Sequence, residues 1–197
     1  MYTTDTPFQS FCEESYLSNK VVTKQNFLET VKVTPIAQSH WERKYNHVGF
    51  APNWESIWNL AILVCKEARI RTQQWKVLHN IWPTNVLLRK MHKVDSEMCG
   101  YCRDEIDCIE HFFFKCKEVR SLWKNIEMLC SKIEGNVVKL NERDVLFGYN
   151  FSRGQENVMQ NKLILIGKLC ISKFKFGKYP NLVFLFEAEC VLRDIVV

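Results

Sequence analysis

The sequence predicts a mainly α-helical, multi-helix domain, and three observations carry that expectation. Apolar residues recur at three- and four-residue steps at Ile57, Trp58, Ala61, Ile62 and Cys65, and again at Leu122, Trp123, Ile126, Leu129, Cys130 and Ile133, which marks one face of a helix in each case. Caps and breakers bracket these runs: Asn53, Pro83-Thr84, Gly135 and Pro180-Asn181. A length of 197 residues with 47% apolar and 13% aromatic content is enough for a substantial core and too apolar for disorder.

Up to about Phe50 the pattern is weak, although Val22, Phe27, Leu28 and Val31 give Asn19 to Val31 a helical rhythm. Thr34-Pro35 ends it, because the residue before proline avoids the helical region. Ser39 to Arg43 and the breaker cluster Gly49 to Asn53 then read as a linker into the main domain. A helix capped by Asn53 follows from Trp54, and a second from Ile70 to Trp82 buries Trp75, Leu78 and Trp82 until Pro83 stops it. Thr84 caps a short helix through Val86, Leu87, Leu88 and Met91. After Cys116 comes the clearest amphipathic helix, ending near Gly135, with Lys117, Arg120 and Lys124 on its opposite face. Asn141 begins a short element that ends at Phe147-Gly148, and Asn157 to Phe174 reads as a long, strongly apolar helix. Residues 178–181 break the pattern and cap a last helix from Leu182 to Ile195, although Leu182 to Phe186 is also rich in strand formers. The expected division is an amino-terminal segment at 1–40, a main domain at 41–135 and a helical extension at 136–197.

Charge is unevenly distributed. Residues 1–60 hold five Lys/Arg against six Asp/Glu, whereas Lys66, Arg69, Arg71, Lys76, Arg89, Lys90 and Lys93 face only Glu67 within 66–93. A second stretch, 157–178, carries Lys162, Lys168, Lys173, Lys175 and Lys178 with no acid. Both suit a polyanion such as RNA or DNA, which is bound by neutralising phosphates and releasing counterions; an ordinary solvated helix face would look the same. No stretch reaches the ~20 apolar residues of a membrane span. The Met1-Tyr-Thr-Thr-Asp5 start lacks the basic and apolar parts of a secretory signal. The expectation is an intracellular chain, in nucleus or cytoplasm, without a membrane or small-molecule partner.

Nine cysteines, an odd count with no signal, favour reduced thiols over a disulfide framework. Cys12, Cys65, Cys130, Cys170 and Cys190 lie singly in apolar or mixed segments and read as buried hydrophobes. The other four cluster with a histidine: Cys99-Gly-Tyr-Cys102, then Cys108, His111 and Cys116. A two-residue gap lets a tight turn aim the first two sulfurs at one point, and His111 and Cys116 supply the rest of a tetrahedral zinc site, with Cys108 an alternative to His111. His111 and Cys116 are five apart, about 140° of rotation on an ideal α-helix. They therefore need a loop or helix end between them, with Phe112 to Phe114 packing the site against the core. His79 and His92 read as ordinary surface or hydrogen-bonded residues.

Trp54-Glu-Ser-Ile-Trp58, Arg71-Thr-Gln-Gln-Trp75-Lys-Val-Leu-His79, Thr84 to Lys90, the Cys/His set and Trp123, seven residues after Cys116, together resemble the zinc-binding domain that follows the reverse transcriptase of non-LTR retrotransposons, most closely the LINE-1 and Tx1 type. The likeness is strongest over residues 54–126. Leu146-Phe-Gly148, Asn161 to Lys168 and the terminal helix also resemble the end of such reading frames. The resemblance implies the carboxy-terminal part of a larger polyprotein, a ligand set of Cys99, Cys102, His111 and Cys116, and a role in holding template RNA or target DNA near the polymerase. A LINE-type polymerase is then a second expected partner. No paired-aspartate polymerase motif is present, and eight residues separate Cys102 from His111, a longer gap than in the retroviral knuckle.

The leading expectation is a non-catalytic zinc module that touches phosphates through Arg69, Arg71, Lys76, Arg89, Lys90, Lys93, Lys117, Arg120 and Lys124. The alternative is a structural or protein-interaction domain, or an inactive retrotransposon relic. A zinc hydrolase is disfavoured, because four protein ligands leave no position for an activated water.

Overall fold

Nineteen residues, Val158–Phe176, are apolar on nearly every side, and a helix of that kind belongs inside a domain. In the computed structural model, which describes residues 35–45, 52–150, 157–177 and 179–195, it is the central helix. The helices in chain order are α1 (Pro35–Tyr45), α2 (Trp54–Val64), α3 (Ala68–Leu78), α4 (Asn85–Lys90), α5 (Arg120–Glu134), α6 (Glu142–Phe147), α7 (Val158–Phe176) and α8 (Leu182–Val191). Helices α2, α3, α5 and α8 all pack against α7. Among the described residues there is no strand beyond a single Met98–Ile106 bridge, and no helix is long and apolar enough to cross a membrane.

Caps set the helix starts. Asn53 Oδ1 accepts from the Ser56 N–H at 3.1 Å, Thr84 from Leu87 at 3.4 Å, Asn181 from Val183 and Phe184, and Asn141 with Asp144 forms a reciprocal capping box. Gly135 ends α5 in the left-handed region at φ 71°. Residues 182–186, rich in strand formers, are helical.

Several expectations need correction. The stretch read as a linker contains α1, whose Ala37, Trp41 and Tyr45 form a buried stripe at four-residue steps. Trp41 is fully buried, donates Nε1–H to the Leu78 carbonyl at 2.7 Å and meets Phe147 edge-on. The compact unit runs Pro35–Val197. Helix α3 ends at Leu78, before Pro83, and its buried face carries Gln73 and Gln74, whereas Trp75 is 37% exposed against His79. Ile62 and Ile133 lie outward on α2 and α5. The expected helix at 19–31 lies outside the described residues.

The central helix also holds two buried cations. Lys168 is completely buried and donates to Gln74 Oε1, while the Gln74 amide donates to the Leu146 carbonyl at 2.9 Å. Burial lowers the Lys168 amine to about 7. Lys175 is buried near the helix end, and Lys173 pairs with Glu189. Lys168 and Lys173 are therefore committed to the fold, and neither they nor the buried Lys175 form a solvated face for a polyanion. Lys162 is half-buried, and Lys178 lies outside the described residues.

Candidate metal centre

The segment from Glu97 to Val119 folds around the cysteines with little regular structure. The Cys99 N–H donates to the Glu105 carbonyl at 2.8 Å, Arg103 N–H to Cys99 at 2.9 Å, and Asp107 N–H to Glu97 at 2.8 Å. Arg103 takes a left-handed conformation at φ 59°, which lets the chain turn back sharply after Cys102. Backbone amides of Asp104 and Glu105 point at the Cys102 sulfur. Burial alone would raise that thiol, but these amides and the neighbouring thiols outweigh it and hold it below the ordinary value.

His111–Lys115 is a π-helical turn rather than a loop, closed by the Cys116 N–H on the His111 carbonyl at 3.0 Å. The i to i+5 bond winds the backbone wider than an α-helix and brings the fifth residue back over the first. That removes the angular mismatch between His111 and Cys116. The turn also directs the Phe113 carbonyl to Trp123 Nε1–H at 2.7 Å, which fastens it to α5. Phe112 and Phe113 are buried against Trp82, and Phe114 is half-buried.

One donor atom from each of Cys99, Cys102, His111 and Cys116 lies within 4.8 Å of all the others, and all four residues are buried. A tetrahedral zinc with ordinary bond lengths places two sulfurs about 3.8 Å apart and a sulfur and a nitrogen about 3.6 Å apart. Cys99 and Cys116 Sγ are 4.0 Å apart, and Cys102 Sγ and His111 Nε2 are 3.3 Å apart. The donor set therefore fits zinc in chemistry and in spacing. His111 Nδ1 lies 3.1 Å from Glu105 Oε2. A carboxylate only accepts, so Nδ1 carries the proton and Nε2 keeps its lone pair toward the sulfurs, the arrangement that orients a histidine ligand. Burial pushes the Cys116 thiol up to about 12, opposed by the nearby Lys175 charge. A bound cation would reverse that balance and deprotonate it.

Cys108 lies outside the cluster, half-buried beside Glu110. Glu110 itself is buried and pairs with Lys44 of α1, an ion pair that overcomes burial and keeps its carboxyl below the usual range. Neither Glu105 nor Glu110 carried a spacing signal in the sequence. Tyr101 ties the knuckle to α7 by donating its hydroxyl to the Phe174 carbonyl at 3.0 Å and to that of Lys175.

The candidate phosphate contacts divide into two groups. Arg69, Lys90, Lys93, Arg120 and Lys124 are exposed. Arg71 instead caps α2 through the Cys65 and Ile62 carbonyls, at 2.6 and 3.3 Å. Lys117 pairs with Asp104 at 2.5 Å, Arg89 lies 4.0 Å from Glu97, and Lys76 is half-buried. Arg120 and Lys124, one helical turn apart, line an open cleft of about 440 Å³ with Glu105, Lys115 and Trp123.

No curated protein and no solved structure matches the chain. Residues 36–123, which include α1 from its second residue on, all four donors and Trp123, match the family described as zinc-binding in reverse transcriptase.

Proposed function

We propose that this chain is a non-catalytic zinc-binding module that binds RNA or DNA inside the cell, in nucleus or cytoplasm. Its resemblance points to the carboxy-terminal end of a LINE-type reverse transcriptase as its origin. The observation that carries the reading is the cysteine–histidine cluster bordered by exposed Arg120 and Lys124 at an open cleft. Four protein donors saturate a tetrahedral ion, which favours a structural role over activation of water. Zinc would then hold the π-helical turn and the start of α5 in place, while the cations beside them meet phosphates. The test is affinity for single-stranded and structured RNA across a salt series. Binding should fall steeply with salt, and Arg120→Ala and Lys124→Ala should each reduce the salt slope by about one. Absence of binding at low salt, or insensitivity to salt, overturns the reading.

A docking role has one observation in its favour: Leu63, Phe184, Val191 and Leu192 are large apolar side chains facing solvent on α2, α8 and the turn after it. Capture of a LINE-type polymerase chain in nuclease-treated solution would support it, and no association there would count against it.

A further inference from the structure

Beside the metal centre, between the Cys99–Cys102 knuckle, the π-helical turn and the last turn of α7, lies a cavity of about 110 Å³. Its lining includes Asn85, Tyr101, Asp107, Phe112, Lys175 and Phe176. Two of these are buried polar side chains with an unused atom. Asp107 is 5% exposed; its Oδ2 accepts from the Asn85 N–H at 2.9 Å, but its Oδ1 has no partner. Lys175 is 7% exposed and its Nζ has no hydrogen-bond acceptor; it lies over the ring faces of Phe112 at 4.3 Å and Tyr101 at 5.9 Å and acts through space on the Asp107 carboxyl and the Cys116 thiol. Buried polar atoms are nearly always hydrogen-bonded, so an acceptor and a cation that face one aromatic cavity, attract each other and yet share no hydrogen bond leave room for a ligand between them.

The cavity constrains that ligand. A sealed cavity of about 150 Å³ holds a benzene ring, and this one is smaller but rimmed by the exposed Tyr101 and Phe176. It suits one six-membered ring entered edge-first. The ring must be flat to lie against Phe112, must offer an N–H to a carboxylate, and must offer a carbonyl or ring nitrogen to an ammonium. We propose that this cavity takes a single unpaired pyrimidine base, cytosine in preference to uracil, with its amino group donating to Asp107 Oδ1 and its N3 and O2 accepting from Lys175. Uracil presents a carbonyl where cytosine has the amino group and would turn it toward the Asp107 carboxylate, which supplies the discrimination. The proposal rests on the nucleic-acid reading above and adds to it a site that reads a base, apart from the phosphate contacts of Arg120 and Lys124.

The experiment compares zinc-loaded full chain binding to twelve-nucleotide oligo(C), oligo(U) and an abasic oligomer of equal length. Oligo(C) should bind about tenfold more tightly than oligo(U), with the abasic strand weakest. Asp107→Asn and Lys175→Met should abolish the preference with zinc content and salt slope unchanged, whereas Arg120→Ala and Lys124→Ala should weaken all three alike. Equal affinity of the wild-type chain for all three oligomers overturns the base site and leaves the phosphate reading standing; failure to bind any of them overturns both. Lys175 also lies near the Cys116 thiol, so a Lys175→Met chain that loses zinc but keeps its base preference identifies the lysine as a counter-charge for the metal and overturns the proposal. Photocrosslinking of wild-type chain to oligo(C) carrying 5-iodocytidine needs no variant: adducts on Tyr101, Phe112 or Phe176 support the site, and adducts confined elsewhere overturn it.

Discussion

Residues 97–119 and helix α7 sit side by side but are held together by different physics. The first has little regular structure, leaves Met98, Tyr101 and Ile106 exposed, and converges on four metal donors. The second buries Leu163 to Ile171 without interruption and needs no ligand. One region offers a metal four donors, the other is ordered by apolar burial, and the hydroxyl of Tyr101 on the last turn of α7 joins them. The contrast teaches that a metal at this cluster would complete a helical domain rather than create one, as metal does in an isolated finger, which is unfolded without it.

Removal of the metal should therefore produce the largest effect, and a local one. Structural zinc contributes about 10–16 kcal/mol in finger peptides. His111→Ala should lose its zinc and the amide protection of residues 97–119, while 158–176 stay protected in hydrogen exchange. Equal loss of protection in α7 would merge the two regions into one cooperative unit. The converse change is Ile166→Ala, at a fully buried position of α7. It should lower global stability to urea by about 2–5 kcal/mol with zinc content intact. Loss of zinc at the same denaturant-free conditions would break the distinction from the other side.

Lys168 tests the apolar region electrostatically. Its folded value of about 7 lies below the ordinary 10.5, so between those limits the unfolded chain binds more protons and stability rises with pH. The cost of the buried charge is fully present below about pH 7 and is relieved toward 10.5. Lys168→Met removes that cost, worth up to about 5 kcal/mol by the size of the shift, but leaves Gln74 Oε1 unpaired at about 1–3 kcal/mol. The variant should be more stable by on the order of 2 kcal/mol at pH 6, with the advantage shrinking as pH approaches 10. A pH-independent difference would show that the amine keeps its ordinary value in the fold and is protonated there as in the unfolded chain.

The two regions also differ in how far their sequences could be read. Caps are local, so Asn53, Thr84, Asn141 and Asn181 announced their helices, and the apolar content of 157–174 announced a long helix. The Cys/His spacing announced a metal centre. What escaped was whatever depends on the partner surface. Among the described side chains of helix α1 the stripe is Ala37, Trp41 and Tyr45, too sparse to separate from a linker, yet it fills the space beside Phe147. Trp75 follows the apolar rhythm of α3 but the helix is rotated to bury Gln73 and Gln74, which pair with Ser172, Leu146 and Lys168. Lys168 and Lys175 looked like a solvated face because a run of like charges carries no depth. The need to break the α-helix between His111 and Cys116 was visible in the angle, but the wider π-turn was not, since its i to i+5 bond is favoured by the site it closes.

The smallest predicted effect lies where α7 meets α5, the helix to which the metal loop is fastened. A Cβ added at Gly167 would stand 2.6 Å from Ile126 Cδ1 and 3.3 Å from the Trp123 ring. Alanine is the better helix former by about 1 kcal/mol, whereas overpacking a filled core costs about 1–3 kcal/mol. The sign depends on which neighbour yields. Ile126 is fully buried on α5, and the Trp123 indole is held by its bond to the Phe113 carbonyl inside the π-helical turn. Displacing that ring pulls on the segment that carries His111 and Cys116. Gly167→Ala should thus lower stability by about 1 kcal/mol net and speed zinc release to a chelator several-fold. A variant that is instead more stable by about 1 kcal/mol, with unchanged zinc release, would mean that Ile126 alone gives way. In that case the apolar core and the metal loop would be mechanically independent across α5.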